Sequence, residues 1–151
     1  MINPHLLQLV VNASNDGIVI AEREGPDNIL IYVNPAFERM TGYASEEILY
    51  RDCRFLQNGH ASEATRKALR DAIDNGHPCR EVMLNFRKDG TSFWNELAIA
   101  PVDNEGDGRR YFIGIQKDVS AEVAAQERIM QLEAELTLLR QEIVRLSGPE
   151  Q

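Results

Sequence analysis

The sequence is poor in the residues that build metal centres and disulfide frameworks. Two cysteines and three histidines stand in 151 residues. There is no Cys-x-x-Cys pair and no Cys/His cluster, so no metal site is expected. The two thiols are expected to stay reduced rather than to pair. Long apolar runs are also missing. None approaches the ~20 residues that a membrane span needs, and the N-terminus lacks the basic start and apolar stretch of a secretory signal. A cytoplasmic location without a membrane partner is the expectation. Positive charge is scarce: 16 Lys and Arg face 24 Asp and Glu, a formal net charge of −8. Such a surface repels phosphate backbones, so nucleic acid is not an expected partner. The chain has no dinucleotide glycine fingerprint, no low-complexity tract and no internal repeat.

What remains is ordinary globular composition, 43% hydrophobic and 26% charged. The length suits one domain plus an appendage. Leu6, Leu7, Val10 and Val11 recur at helical spacing behind Pro4, which predicts a short N-terminal cap helix. Residues 17–22 and 29–34 are apolar, β-branched runs around the turn residues 24–28, a hairpin pattern. Asn34 before Pro35 reads as a helix N-cap, and Gly42 ends that helix. Ser45 is expected to cap a second short helix through Glu46 and Glu47. A longer helix spans 63–75, with Ala64, Ala68, Leu69, Ala72 and Ile73 on one face and Gly76 as its stop. Three strands follow, over 79–87, 92–102 and 110–118. Strands and helices segregated in this way predict an α+β domain with an antiparallel sheet.

From Ser120 onward the pattern changes. Ile129, Leu132, Leu136, Leu139, Ile143 and Leu146 alternate gaps of three and four, a heptad seam flanked by Glu133, Glu135, Arg140, Glu142 and Arg145. One helix cannot hide such a stripe in water, so a homodimer through this C-terminal helix is expected.

The residues that carry chemistry lie between these elements. Cys53 sits in the run Asp52, Cys53, Arg54, Phe55, Leu56, Gln57. A lone cysteine is ordinarily a small buried hydrophobe, and that is the expectation for Cys79. Arg66 and Arg70 are four apart, hence on one helix face. Surface arginines are usually solvated, but together with Arg54 they make three guanidinium groups suited to one phosphate. Asn85 and Asn95 fall on neighbouring predicted strands, and Gln57 and Gln116 add two more carboxamides, groups that both donate and accept.

In order and spacing, this set resembles the LOV domain, the flavin-binding blue-light sensor of the PAS superfamily. The resemblance covers residues 16–118. It implies a PAS fold: a five-stranded antiparallel sheet with helices on one face. It implies FMN as cofactor, held noncovalently in the dark, and Cys53 as the photoactive residue that forms a reversible bond to flavin carbon 4a in light. Arg54 and Arg70 occupy the two usual phosphate positions. Arg66 stands where many relatives carry an apolar residue, and its placement at the phosphate is our own inference. Asn85 and Asn95 would hold the N3, O2 and O4 edge, Gln116 would reach O4 and N5, and Gln57 and Asn28 complete the polar set. Val19, Leu56, Ile73, Leu97, Ile99, Phe112 and Gly114 would form the walls, and their plain reading is core.

The chain departs from the family in places. Tyr50, Arg51 and Asp52 replace the usual Gly-x-Asn, the glycine after the glutamine is displaced to Gly59, and Ala21 replaces a hydroxyl residue. These changes bear on adduct lifetime more than on binding. The organisation expected is a cap helix over 1–15, a LOV core over 16–118 and a signalling helix over 119–151, similar to the bacterial short LOV proteins. Such a protein is a photoreceptor and not an enzyme, acting through an unidentified downstream signalling protein. The alternative is a PAS-type dimerisation or redox-sensing module without photochemistry.

Overall fold

Alternation of buried and exposed residues along five segments lays down the sheet. In the computed structural model, which describes residues 1–57, 59–104 and 106–149, the chain forms two compact units, Met1–Val119 and Ser120–Gln151. The strands of the first unit are β1 (Gly17–Glu24), β2 (Asp27–Val33), β3 (Cys79–Phe86), β4 (Ser92–Asn104) and β5 (Arg109–Asp118). They form one antiparallel sheet in the order β2-β1-β5-β4-β3. Val19 and Ala21 on β1, Asn28 and Leu30 on β2, Met83 and Asn85 on β3, Phe93 and Asn95 on β4 and Phe112, Gly114 and Gln116 on β5 are buried at two-residue spacing, the period a half-covered strand imposes. The helices of this unit are α1 (Pro4–Ala13), α2 (Pro35–Thr41), α3 (Ser45–Ile48) and α4 (Glu63–Asn75), with a 3₁₀ helix over Cys53–Gln57. The expected PAS architecture is therefore present.

Asn34 ties several of these elements together. It is fully buried; its Oδ1 accepts from the Ile18 and Phe37 amides, and its Nδ2 donates to the Val11 and Asp16 carbonyls. One capping residue thus joins the end of α1, the start of β1 and the first turn of α2. A buried amide with its groups satisfied in this way specifies the junction.

Some local expectations need correction. The hairpin turn is shorter than the turn-rich run 24–28 implied: β1 and β2 pair as far as Glu24 and Asp27, leaving Gly25 and Pro26 as the turn. Backbone pairing outweighs local turn propensity here, and it places Asn28 in a strand. Ser45 does not cap α3. It is the first helical residue, the cap position is Ala44, and the Glu47 carboxylate accepts from the Ala44 amide at 2.9 Å. That is the return half of a capping box; no side chain accepts from the first-turn amides as a capping serine would.

The second unit is α5 (Ser120–Leu146), which begins at Ser120 itself. It has no buried residue, and its seam, Ile129 to Leu146, stands 46–75% exposed. No described helix is long and apolar enough to cross a membrane.

Candidate functional site

The site is built around the segment that delivers Cys53. Residues 50–52 run along the outer edge of β2: the Tyr50 amide donates to the Leu30 carbonyl at 2.7 Å, and the Leu30 amide donates to the Arg51 carbonyl at 3.0 Å. Asp52 bridges to Ile29. To enter this pairing Tyr50 adopts φ +68°, and it is the only described residue other than glycine with positive φ. The Asp52 carboxylate then accepts from the Asn28 amide (3.1 Å) and the Arg54 amide (2.9 Å). Cys53 is pinned on both sides at the start of its 3₁₀ turn.

Behind it lies a cavity of about 610 Å³, within the ~300–1,000 Å³ of small-molecule sites. Cys53, Arg54, Leu56 and Gln57 of the 3₁₀ turn and Arg66, Arg70 and Ile73 of α4 form one side. Val19, Asn28, Asn85, Leu97, Ile99, Phe112, Gly114 and Gln116 of the sheet form the other. Cys53 is partly buried, and burial together with the Asp52 charge pushes its thiol up to about 12. It stays protonated at neutral pH. Gly114 leaves necessary room: a Cβ there would lie 2.9 Å from Val19 Cγ2 and 3.5 Å from Leu97 Cδ1, both in the wall.

One expected lining residue is placed differently. Asn95 does not line the cavity; it is fully buried beside it and donates from Nδ2 to Asn85 Oδ1 and Gln116 Oε1, each at 2.8 Å. It links the two amides that do line the cavity, across three adjacent strands. Its own Oδ1 is buried without a hydrogen-bond partner in the protein, a condition that ordinarily marks an unfilled demand for a donor.

The arginines divide into two kinds. Arg54 is held by acids: Nε donates to Asp52 Oδ1 at 2.7 Å and Nη2 to Asp27 Oδ1 at 2.8 Å. For Asp52, burial alone would raise the carboxyl, but hydrogen bonds from the Arg54 side chain and from the Arg54 and Asn28 amides outweigh it and hold the group below the ordinary carboxylate range. Arg66 and Arg70 have no ion-pair partner among the described residues. Their charge is open to an anion.

Other side chains fall outside. His60 stacks on Phe86, with ring centroids 4.9 Å apart, and does not line the cavity. Cys79 sits with Sγ 3.9 Å from the Ala68 carbonyl, also away from it. Trp94 is 37% exposed while Asn95 is buried, as opposite strand faces require. The lining also includes residues that no motif flagged: Leu30, Phe37, Leu69 and Met83, which read as core, and Arg23 and Asp74, whose pairing over 51 residues leaves no local pattern. Among the described residues no group of His, Cys, Asp or Glu could hold a metal.

Comparison with known proteins gives this geometry a family. The PAS domain model matches residues 15–121. A solved LOV domain from the EL346 blue-light activated histidine kinase of Erythrobacter litoralis is 40% identical, with TM-score 0.64, over 70% of this chain and 96% of that one. This chain is a LOV domain of the PAS superfamily. A solved RNA-binding light-oxygen-voltage receptor is also 40% identical to this LOV domain, with TM-score 0.79, over 87% of this chain and 37% of that one. A blue-light photoreceptor of Listeria monocytogenes is 42% identical over 92% of this chain and 52% of its own length. The chain thus spans about half the length of these curated blue-light photoreceptors.

The family implies a flavin, and the residues present fit one. The space that Gly114 keeps open suits a flat ring between apolar walls. The Asn85 and Gln116 amides, which line the cavity and are held by Asn95 from behind, suit a ring edge of alternating donors and acceptors. Two unpaired guanidinium groups suit an anionic tail.

Proposed function

We propose that this LOV domain is a blue-light sensor that holds FMN in the cavity and uses Cys53 as its photoactive residue. The bound flavin would supply light absorption and a ring carbon to which sulfur bonds reversibly. Everything else falls to the chain. Cys53 carries the proton that must leave sulfur, since its thiol is protonated at neutral pH. The observation that carries the reading is this protonated thiol lining a cavity whose opposite side presents Asn85 and Gln116. Arg66 and Arg70 would hold the phosphate, which favours FMN over riboflavin.

Gln116 would report the event. It is 5% exposed, accepts from Asn95, and lies on β5, which runs through Asp118 to the start of α5 at Ser120. Turning its amide would exchange an acceptor for a donor and change what β5 is bonded to. The heptad seam of α5 would join two copies, and light would shift that dimer between two packings toward a downstream partner. This reading assigns sensing rather than turnover to the domain. The Erythrobacter litoralis relative named blue-light-activated histidine kinase 2 is matched over 34% of its length.

The decisive experiment is blue illumination of purified protein supplied with FMN. Yellow protein that bleaches and recovers in darkness is expected, with Cys53→Ala yellow but no longer forming the long-lived bleached state. A colourless protein would favour the plain PAS module, and persistent bleaching in Cys53→Ala would remove the cysteine's assignment.

A further inference from the structure

We propose that Arg23 and Asp74 form a latch across the cavity mouth that retains the flavin. The inference rests on the function just given and concerns two residues outside its binding set. Arg23 lies near the end of β1 and Asp74 in the last turn of α4, and both line the cavity. Arg23 Nη2 donates to Asp74 Oδ1 at 2.8 Å. The two side chains are 27% and 47% exposed, so the pair stands where the cavity meets solvent.

Two features make this more than an incidental surface pair. The first is anchoring. Arg23 Nη1 donates to Asn28 Oδ1 at 3.4 Å, and Asn28 is itself buried and lines the cavity. The guanidinium is therefore fixed on the sheet side before it reaches across. The second is the packing of α4, which lies chiefly against β3, the strand at the opposite edge of the sheet from β2. The ion pair ties the free flank of α4 to β1. Its partner is also one the helix needs: α4 has no basic residue in its last turn, and an aspartate at the negative end of a helix dipole is disfavoured unless a cation is supplied from elsewhere. With the latch closed, a flavin seated behind it could leave only after the pair separates.

Partly exposed pairs hold weakly, so the effect belongs to release rate more than to folding, and about a two- to fivefold acceleration is expected on breaking it. The test uses the full chain loaded with FMN, dialysed in darkness, with loss of the protein-bound blue absorbance followed as a first-order decay. Arg23→Gln and Asp74→Asn should each lose flavin about two- to fivefold faster than wild type. The charge-swapped double variant, Arg23→Asp with Asp74→Arg, should return toward the wild-type rate. Melting temperatures of the flavin-free proteins should stay together. If Arg23→Gln does not fold, Asp74→Asn carries the test, because it changes one atom of a more exposed side chain. Release at the wild-type rate in the single variants, no recovery in the swap, or release that merely tracks a fall in flavin-free stability would overturn the latch. Wild-type protein that never takes up flavin would remove the functional reading as well, whereas a protein that binds and bleaches normally but shows no latch effect leaves that reading standing.

Discussion

Tyr50→Gly should make the protein more stable, although it removes a large side chain. Tyr50 is held at φ +68° by the hydrogen bond that its amide donates to the Leu30 carbonyl and by the pairing that follows. For a residue with a Cβ, the left-handed region costs about 1–2 kcal/mol. Glycine adopts it freely but loses about 0.5–1 kcal/mol more conformational freedom on folding. The tyrosine side chain is 76% exposed, so little burial is forfeited, and the hydrogen bond uses only backbone. The balance is a gain of about 0.5–1 kcal/mol, which for a unit of this size raises the melting temperature by about 2–8 °C. Trp94, the single tryptophan, lies on β4 in the same unit and gives a fluorescence probe of its melting. Tyr50→Ala is the control: it removes the same ring but keeps the Cβ, and no comparable gain is expected. A glycine variant no more stable than the alanine variant would show that the backbone here is not strained.

Alkylation should distinguish the two thiols: with Cys53 moved from 9.0 to about 12, its thiolate population at neutral pH falls about a thousandfold, so mass spectrometry should find Cys79 labelled first. Asp52→Asn should hasten labelling of Cys53, since the Asp52 charge is the second cause of its elevation after burial. The same variant tests linkage. A carboxyl held below its unfolded value stabilises above that unfolded value and loses the contribution as pH falls through the folded one, so the stability gap between wild type and Asp52→Asn should narrow in acid, as read by denaturant melts at neutral pH and below pH ~4. Finally, Arg70→Ala and Arg66→Ala should each weaken FMN about 10- to 100-fold while leaving riboflavin affinity nearly unchanged, and Arg54→Ala should cost less; calorimetry with both flavins separates the cases.

The sheet, its helices and the left-handed stop of α4 at Gly76 were legible in the sequence because each rests on a local rule: alternation, helical spacing, a cap or a glycine. Nearly all the expected site residues line one cavity because the family pattern encodes their convergence, which spacing alone does not. What stayed hidden was relational. That Asn95 would stand behind Asn85 and Gln116 depends on the register of three strands. The Arg23–Asp74 pair joins elements with no shared pattern. The Ser45 expectation failed for a local reason, since the helix starts one residue early, at Ser45 itself, and leaves Ala44 in the cap position.

If FMN binds as proposed, the departures around Cys53 bear on its phosphate tail as well as on the lifetime of a light-formed bond. Where the family commonly has asparagine, Asp52 brings a full negative charge, and its two oxygens take the Arg54 amide, Nε and Nη2. Asp27 takes Nη2 as well. A phosphate recruiting Arg54 must compete with two carboxylates already in place, whereas at Arg66 and Arg70 it meets none among the described residues. A phosphate monoester carries about −1.5 to −2 charges at neutral pH, which two unpaired guanidinium groups match without a third. On the proposed reading, Arg66, apolar in many relatives, would do in this chain what the acid at Asp52 withholds from Arg54: one substitution would divert an arginine, and the other would supply its replacement one helical turn from Arg70. Restoring asparagine at position 52 should consequently make Arg66 less necessary, so Arg66→Ala should cost less FMN affinity in an Asp52→Asn background than in wild type. Equal losses in both backgrounds would show that the two positions act independently.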